Sequence, residues 1–147
     1  MGAEWFFLMD VDQLFPTDTI PRLMDTAKKH GAGVVSALYH IGRAPYAPVA
    51  GWAKKEGDTI SFVNRKGADW KENYCDLGRG VVEVDWVGSG GMLIRRDVLD
   101  AVGWPPFQDV WGPEISRRLV GHDVNFCLKA KEKGFKVVVD TDVCSDH

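Results

Sequence analysis

The chain has 147 residues and a net charge of −3, with 45% apolar and 27% charged residues, values that fit one folded domain and argue against disorder. Lys and Arg are scattered, with short pairs at Arg95-Arg96 and Arg117-Arg118 and no stripe, so neither nucleic acid nor an anionic membrane is expected as a partner. Cys75, Cys127 and Cys144 form no CxxC pair and read as reduced thiols of a cytoplasmic protein. The apolar start is too short and too soon acidic for a membrane span or a signal peptide.

In chain order, Trp5 to Met9 is a continuous apolar run, the pattern of a strand buried on both faces. It ends in Asp10-Val11-Asp12. Thr17 or Asp18 can cap a helix to His30 that carries Ile20, Leu23, Met24 and Ala27 on one face and stops at Gly31. Val34 to Tyr39 is a second strand, and the order strand, helix, strand argues for an α/β domain with some parallel pairing. Between Ile41 and Gly80, a hairpin is expected from the apolar stretches Val49–Ala53 and Thr59–Val63 around the turn signal Glu56-Gly57-Asp58. A strand from Val81 to Trp86 leads to the glycine turn Gly88-Ser89-Gly90-Gly91 and to Met92-Leu93-Ile94. Asp97 can cap a short helix to Val102, ended by Gly103-Trp104-Pro105-Pro106. A helix from Asp123 to Lys133, with Val124, Cys127, Leu128 and Lys131 sharing a face, stops at Gly134, and Phe135 to Val139 is a last strand.

Three places carry chemistry. Asp10 and Asp12, one residue apart where a strand ends, can turn together toward a hard cation that wants oxygen ligands, at the end of the sheet where α/β folds bind ligands; the plain alternative is a solvated turn. Asp123 is either the cap of its helix or a general base for a substrate hydroxyl, with His122 as an alternative base or ligand. His147 is either a surface residue or, following Asp140-Thr141-Asp142, a group at the same sheet edge as Asp10 and Asp12. The glycines at 88–91 lack the Lys-Ser/Thr of a phosphate loop and lead into a strand. They let the backbone approach a substrate or simply make a tight turn.

Four segments together resemble the GT-A glycosyltransferases, especially the family 2 group. Trp5-Phe-Phe-Leu-Met-Asp-Val-Asp12 is similar to the strand and DxD motif, and Val84-Asp-Trp-Val-Gly-Ser-Gly-Gly-Met-Leu-Ile-Arg-Arg-Asp97 to the acceptor-side segment. Gly121-His-Asp-Val-Asn-Phe-Cys-Leu-Lys-Ala-Lys-Glu-Lys-Gly-Phe135 resembles the E-D-x-x-F helix. Val139 to His147 resembles the strand and histidine that end the catalytic core. The resemblance implies a truncated GT-A mixed sheet with flanking helices and an inserted hairpin, one partial domain over residues 1–147. It implies transfer of a sugar from a nucleotide-diphosphate donor to a saccharide or other hydroxyl acceptor. Asp10, Asp12 and His147 would hold Mn²⁺ or Mg²⁺, with Asp10 also touching ribose or sugar; Asp123 would be the base; and Trp86, Gly88, Gly90 and Gly91 would line the acceptor pocket.

The chain departs from that pattern at His122, where the family has Glu, and in that the strand before DxD already starts at residue 5. By that resemblance the nucleotide-binding half is missing, and the chain alone is expected to be inactive. A bare edge at Trp5–Met9 would then recruit a second copy, giving a homodimer, or a partner chain that supplies the missing half. The rival readings are a non-catalytic saccharide- or metal-binding relative and, less favoured, a metal-dependent phosphodiester or pyrophosphate hydrolase.

Overall fold

The computed structural model describes residues 2–42, 47–56, 59–63, 77–112 and 118–145. Among them the chain forms β1 (Trp5–Met9), α1 (Thr19–His30), β2 (Val34–Leu38), β3 (Ala50–Glu56), β4 (Thr59–Val63), β5 (Val81–Val84), β6 (Trp86–Val87), β7 (Gly91–Arg95), α2 (Arg96–Val102), β8 (Val110–Trp111), β9 (Arg118–Val120), α3 (His122–Glu132) and β10 (Val137–Cys144). The main sheet has five strands in the order β1-β7-β2-β10-β5. It is mixed: β2 and β10 pair in parallel, and the other neighbours are antiparallel. The mixed α/β architecture expected from the order of elements is therefore present. β3 pairs with β4 and β6 in a separate three-stranded sheet, and β8 with β9.

Alternation along the central strands sends side chains to two faces. Val34, Met92, Ile94, Val137 and Val139 pack with Val98 of α2 and with Phe126, Cys127 and Ala130 of α3. Val35, Leu93 and Val138 pack with Leu23 and Ala27 of α1. The result is three layers, with α1 on one side of the sheet and α2 and α3 on the other. The strand residues among these lie in strands covered on both sides, which is why their runs read as continuous apolar stretches.

Several local expectations are corrected. β1 is not buried on both faces: among the described residues it is an edge strand paired only with β7, and Phe6 and Met9 are exposed. An edge strand is flanked on one side alone, so helices that cover the sheet centre leave it half-covered. In α1, Ile20 faces solvent and the buried stripe is Thr19, Leu23, Thr26 and Ala27. Gly31 ends this helix in the left-handed region at φ 63°, a conformation that favours glycine.

The strand expected from Val81 to Trp86 divides between the two sheets. Asp85 sits at the break, where its carboxylate accepts from the Ala53 N–H at 2.9 Å and from Lys131 Nζ. Asp97 does not cap α2. The Arg95 guanidinium takes both of its oxygens at 2.6 and 2.8 Å, which holds its carboxyl below the usual carboxylate range. In α3 the N-cap is Gly121, not Asp123, and Phe126 and Ala130 accompany Cys127 on the buried face where Val124 and Leu128 were expected. The last strand is longer than expected and runs on to Cys144. The hairpin forms as expected, with Trp52↔Val63 to Glu56↔Thr59 paired, although its turn at 57–58 lies outside the described residues.

Candidate functional site

The pairing of β1 with β7 decides what stands beside the DxD turn. Met9 pairs with Gly91, and the next residue, Asp10, donates its N–H to the Gly90 carbonyl at 3.3 Å. The acidic motif and the glycine turn, 80 residues apart, are thus neighbours at one end of the sheet. The chain then reverses, with the Gln13 N–H donating to the Asp10 carbonyl at 3.3 Å, and Val11 and Asp12 are exposed at the tip.

Two contacts hold this turn in place. Phe15 folds back onto Phe7 edge to face, with centroids 5.9 Å apart. Gln13 is buried, and its Oε1 accepts a 2.6 Å hydrogen bond from Ser145 Oγ just beyond β10. Ser145 is itself fixed by its N–H to the Leu38 carbonyl at 2.9 Å. A buried amide with a bonded partner fixes geometry well, because losing the bond leaves a desolvated polar group.

The glycines are explained by the chain's own aromatic rings. A Cβ at Gly88 would fall on the Tyr39 hydroxyl and crowd Val49, and one at Gly90 would come within 2.6 Å of Asp10 Oδ2 and 2.8 Å of the Tyr39 ring. One at Gly91 would meet Phe15 at 2.7 Å. Tyr39 Oη accepts the Gly90 N–H at 2.9 Å. Burial above all pushes the Tyr39 hydroxyl well above the tyrosine range; the Gly90 N–H opposes this, and the carboxylates of Asp10 and Asp123 add to it. Tyr39 is therefore a neutral phenol standing within the fields of both carboxylates. Nothing in the sequence marked it beyond its position at the end of a strand.

If the glycines serve that packing, Gly88→Ala is expected to cost roughly 1–3 kcal/mol by overpacking. Tyr39→Phe is expected to cost about 1–3 kcal/mol by leaving the Gly90 N–H without its acceptor. The double variant should lose clearly less than the sum, since the struck hydroxyl is gone. Urea unfolding of the three proteins measures this, and strict additivity would mean that Gly88 is kept for another reason.

A cleft of about 360 Å³ opens beside the turn, lined by Leu8, Met9, Asp10, Ser89, Phe107 and His122. It brings together two of the residues singled out in the sequence, Asp10 and His122. The His122 imidazole presents Nδ1 to Asp109 Oδ1 at 3.6 Å and stands edge-on to Phe107 at 6.3 Å. Asp123 lies one residue deeper in the first turn of α3, where its Oδ1 accepts the Val124 N–H at 2.8 Å. It is not the N-cap, yet it satisfies one of the free N–H groups of the helix start, where a negative charge is favoured.

The remaining candidates fall elsewhere. Trp86 is not among the residues lining the cleft. Its Nε1 donates to the Trp52 carbonyl at 3.3 Å, and it packs against the α3-side core. Gly88, Gly90 and Gly91 are buried behind Ser89, which is the part of the turn that reaches the cleft. His147 lies outside the described residues, two positions after Ser145. Among the described residues no group of three His, Cys, Asp or Glu side chains converges as a metal site. Cys127 is fully buried, and burial pushes its thiol up to about 12, which makes it an inert core residue and not a nucleophile. Asp109 and Phe107 escaped the sequence reading because neither belongs to a motif; only the loop's return to the start of α3 gives them a place. No helix among the described residues is long and apolar enough to cross a membrane.

No family model matches the chain, and no curated protein matches it. Among solved structures the chain is similar to the crystal structure of A197 from STIV, with a TM-score of 0.59 and 16% identity. The match covers 99% of this chain and 58% of that one, so the chain spans little more than half the length of the protein it resembles. At that identity the likeness is one of fold.

Proposed function

We propose that the chain is a GT-A-type glycosyltransferase core that uses a divalent cation to transfer a sugar from a nucleotide-diphosphate donor to an acceptor hydroxyl. The observation that carries this reading is the cleft that joins Asp10, at the turn after β1, to His122, at the start of α3. A strand-end carboxylate and a titratable group on an opposing helix are the two functions that a metal-dependent transfer needs.

The donor set suits a hard cation. Asp10 and Asp12 offer carboxylate oxygens on either side of a fixed turn, leaving room for water and phosphate oxygens. His147 would be the third ligand, as the resemblance implies. When bound, the cation would supply charge neutralisation for the leaving diphosphate. His122 would take the acceptor proton on Nε2, with Asp109 as a positioning residue at Nδ1. Asp123 would act through the field it places on this end of the cleft. The rival reading, a saccharide- or metal-binding relative without turnover, uses the same residues.

Calorimetry tests the metal. Mn²⁺ should bind weakly alone and more tightly with a nucleoside diphosphate present, and Asp12→Ala should abolish the difference. Equal Mn²⁺ affinity in the two proteins would sink the assignment.

We also propose a homodimer formed along β1. Among the described residues the strand is paired on one side, Phe6 and Met9 are exposed, and neither proline nor lysine interrupts the run, the features that invite strand addition. An isologous pair would place Phe7 opposite its own copy. Light scattering at micromolar concentration should report twice the monomer mass, and Phe7→Lys should shift it toward monomer. A wild-type monomer refutes the pairing.

A further inference from the structure

A second cavity opens next to the Asp10–His122 cleft, and its chemistry is different. It encloses about 360 Å³, within the range of small-molecule sites, and its walls include Phe6, Leu8, Leu99, Trp104, Pro106 and Phe107. Every lining residue is apolar, so a charged or strongly polar occupant would lose its hydration without replacement. Leu8 and Phe107 line both cavities, so the groove adjoins the cleft across these two side chains.

Trp104 stands at its rim, 92% exposed. Tryptophan is mostly buried in folded proteins, and a large apolar side chain held in solvent beside an apolar groove marks a place where something binds. The opposite wall is rigid: Phe6 and Leu8 belong to a paired strand, and Phe107 is backed by the buried Phe126 ring at 4.6 Å. A groove built this way is preformed, and it can bind a small apolar group with little ordering cost.

We propose that this groove takes the apolar portion of a hydroxyl-bearing amphiphile whose hydroxyl lies in the neighbouring cleft between Asp10 and His122. The role of that hydroxyl as acceptor rests on the transferase reading, whereas the apolar subsite does not. The chain would then select acceptors by an attached alkyl or aromatic group as well as by a sugar.

The test uses the whole chain with methyl, hexyl and octyl β-glucoside below their micelle concentrations, followed by calorimetry and without donor or metal. Affinity should rise roughly fourfold for each methylene that is buried, and methyl glucoside should show no binding. Trp104→Ser, a change at an exposed position, should weaken octyl glucoside by about tenfold or more, while Asp25→Asn, exposed on α1 across the sheet, should leave its binding intact. No dependence on chain length, or one that Trp104→Ser leaves unchanged, overturns the proposal. A dimer that octyl glucoside dissociates also overturns it, because the groove would then belong to a second copy. Chain-length dependence combined with no transfer from any nucleotide sugar, even with a partner that supplies the nucleotide-binding half, would remove the transferase reading and leave the subsite standing.

Discussion

His122→Ala is expected to lower the rate of sugar transfer by roughly 10²–10⁴, the usual contribution of a general base. The expectation follows from position. His122 lines the cleft together with Asp10, and its Nδ1 faces Asp109 at 3.6 Å. That distance exceeds a hydrogen bond, but catalytic contacts commonly tighten once substrate is bound. Asp123 instead spends Oδ1 on the Val124 N–H. Asp123→Asn keeps an acceptor oxygen for that N–H and should change the rate only a few-fold. The measurement is nucleoside diphosphate release from a panel of nucleotide sugars by a reconstituted full-length form, with octyl glucoside as acceptor. A rate that survives His122→Ala and collapses in Asp123→Asn would move the base to Asp123. No turnover with any donor, even with a partner that supplies the nucleotide-binding half, would favour the non-catalytic reading. Asp109→Asn should lower turnover less than His122→Ala and should alter its pH profile, which a purely structural role would not do.

Phe126→Ala should have the largest effect on stability, a loss of roughly 3–5 kcal/mol. Its side chain is fully buried and stacks on Phe107 with rings tilted by 31° at 4.6 Å. It sits where α3 meets the sheet, among Val34, Val87, Ile94 and Val137. A domain of this kind has about 5–15 kcal/mol of net stability, so the change removes a large share. Phe126→Leu keeps most of the volume and should cost far less. Urea unfolding at pH 7 measures both. Because Phe107 lines the cleft and the apolar groove, the alanine variant should also lose octyl glucoside binding at a temperature where it is still folded. A cost under about 1 kcal/mol would mean that α3 is held to the sheet by something other than this ring.

Much of the fold can be read from the residues. The five apolar residues before Asp10, the run Val34–Leu38 and the capping glycine at Gly31 specify elements through local physics: strand patterning, helix periodicity and a left-handed stop. α1 and α3 begin and end within one or two residues of their expected places. The hairpin is legible for the same reason, since a turn signal between two β-rich stretches is a local device. Where local signals mislead, a competing side chain or backbone partner has taken the group away. Asp97 reads as a cap, but the Arg95 fork binds it in a bidentate pair. Val81 to Trp86 reads as one strand, but Asp85 is claimed by Lys131 and Ala53 from two other elements, and the strand breaks there.

The chemistry divides along the same line. The sequence by itself determined which residue types are available for it, namely the paired carboxylates Asp10 and Asp12, the His122-Asp123 step and the small residues at 88–91, because their types and spacings are local. Only the tertiary structure decided which of them meet. The β1–β7 register puts Asp10 beside Gly90, the fold of α3 puts His122 across a cleft from it, and the loop before α3 brings in Asp109 and Phe107. It also decided why the glycines are small: Tyr39 and Phe15 occupy the space where side chains would be. Contacts between residues so far apart in the chain leave no periodicity behind them. They arise from sheet order and the burial of rings, which no window of sequence contains.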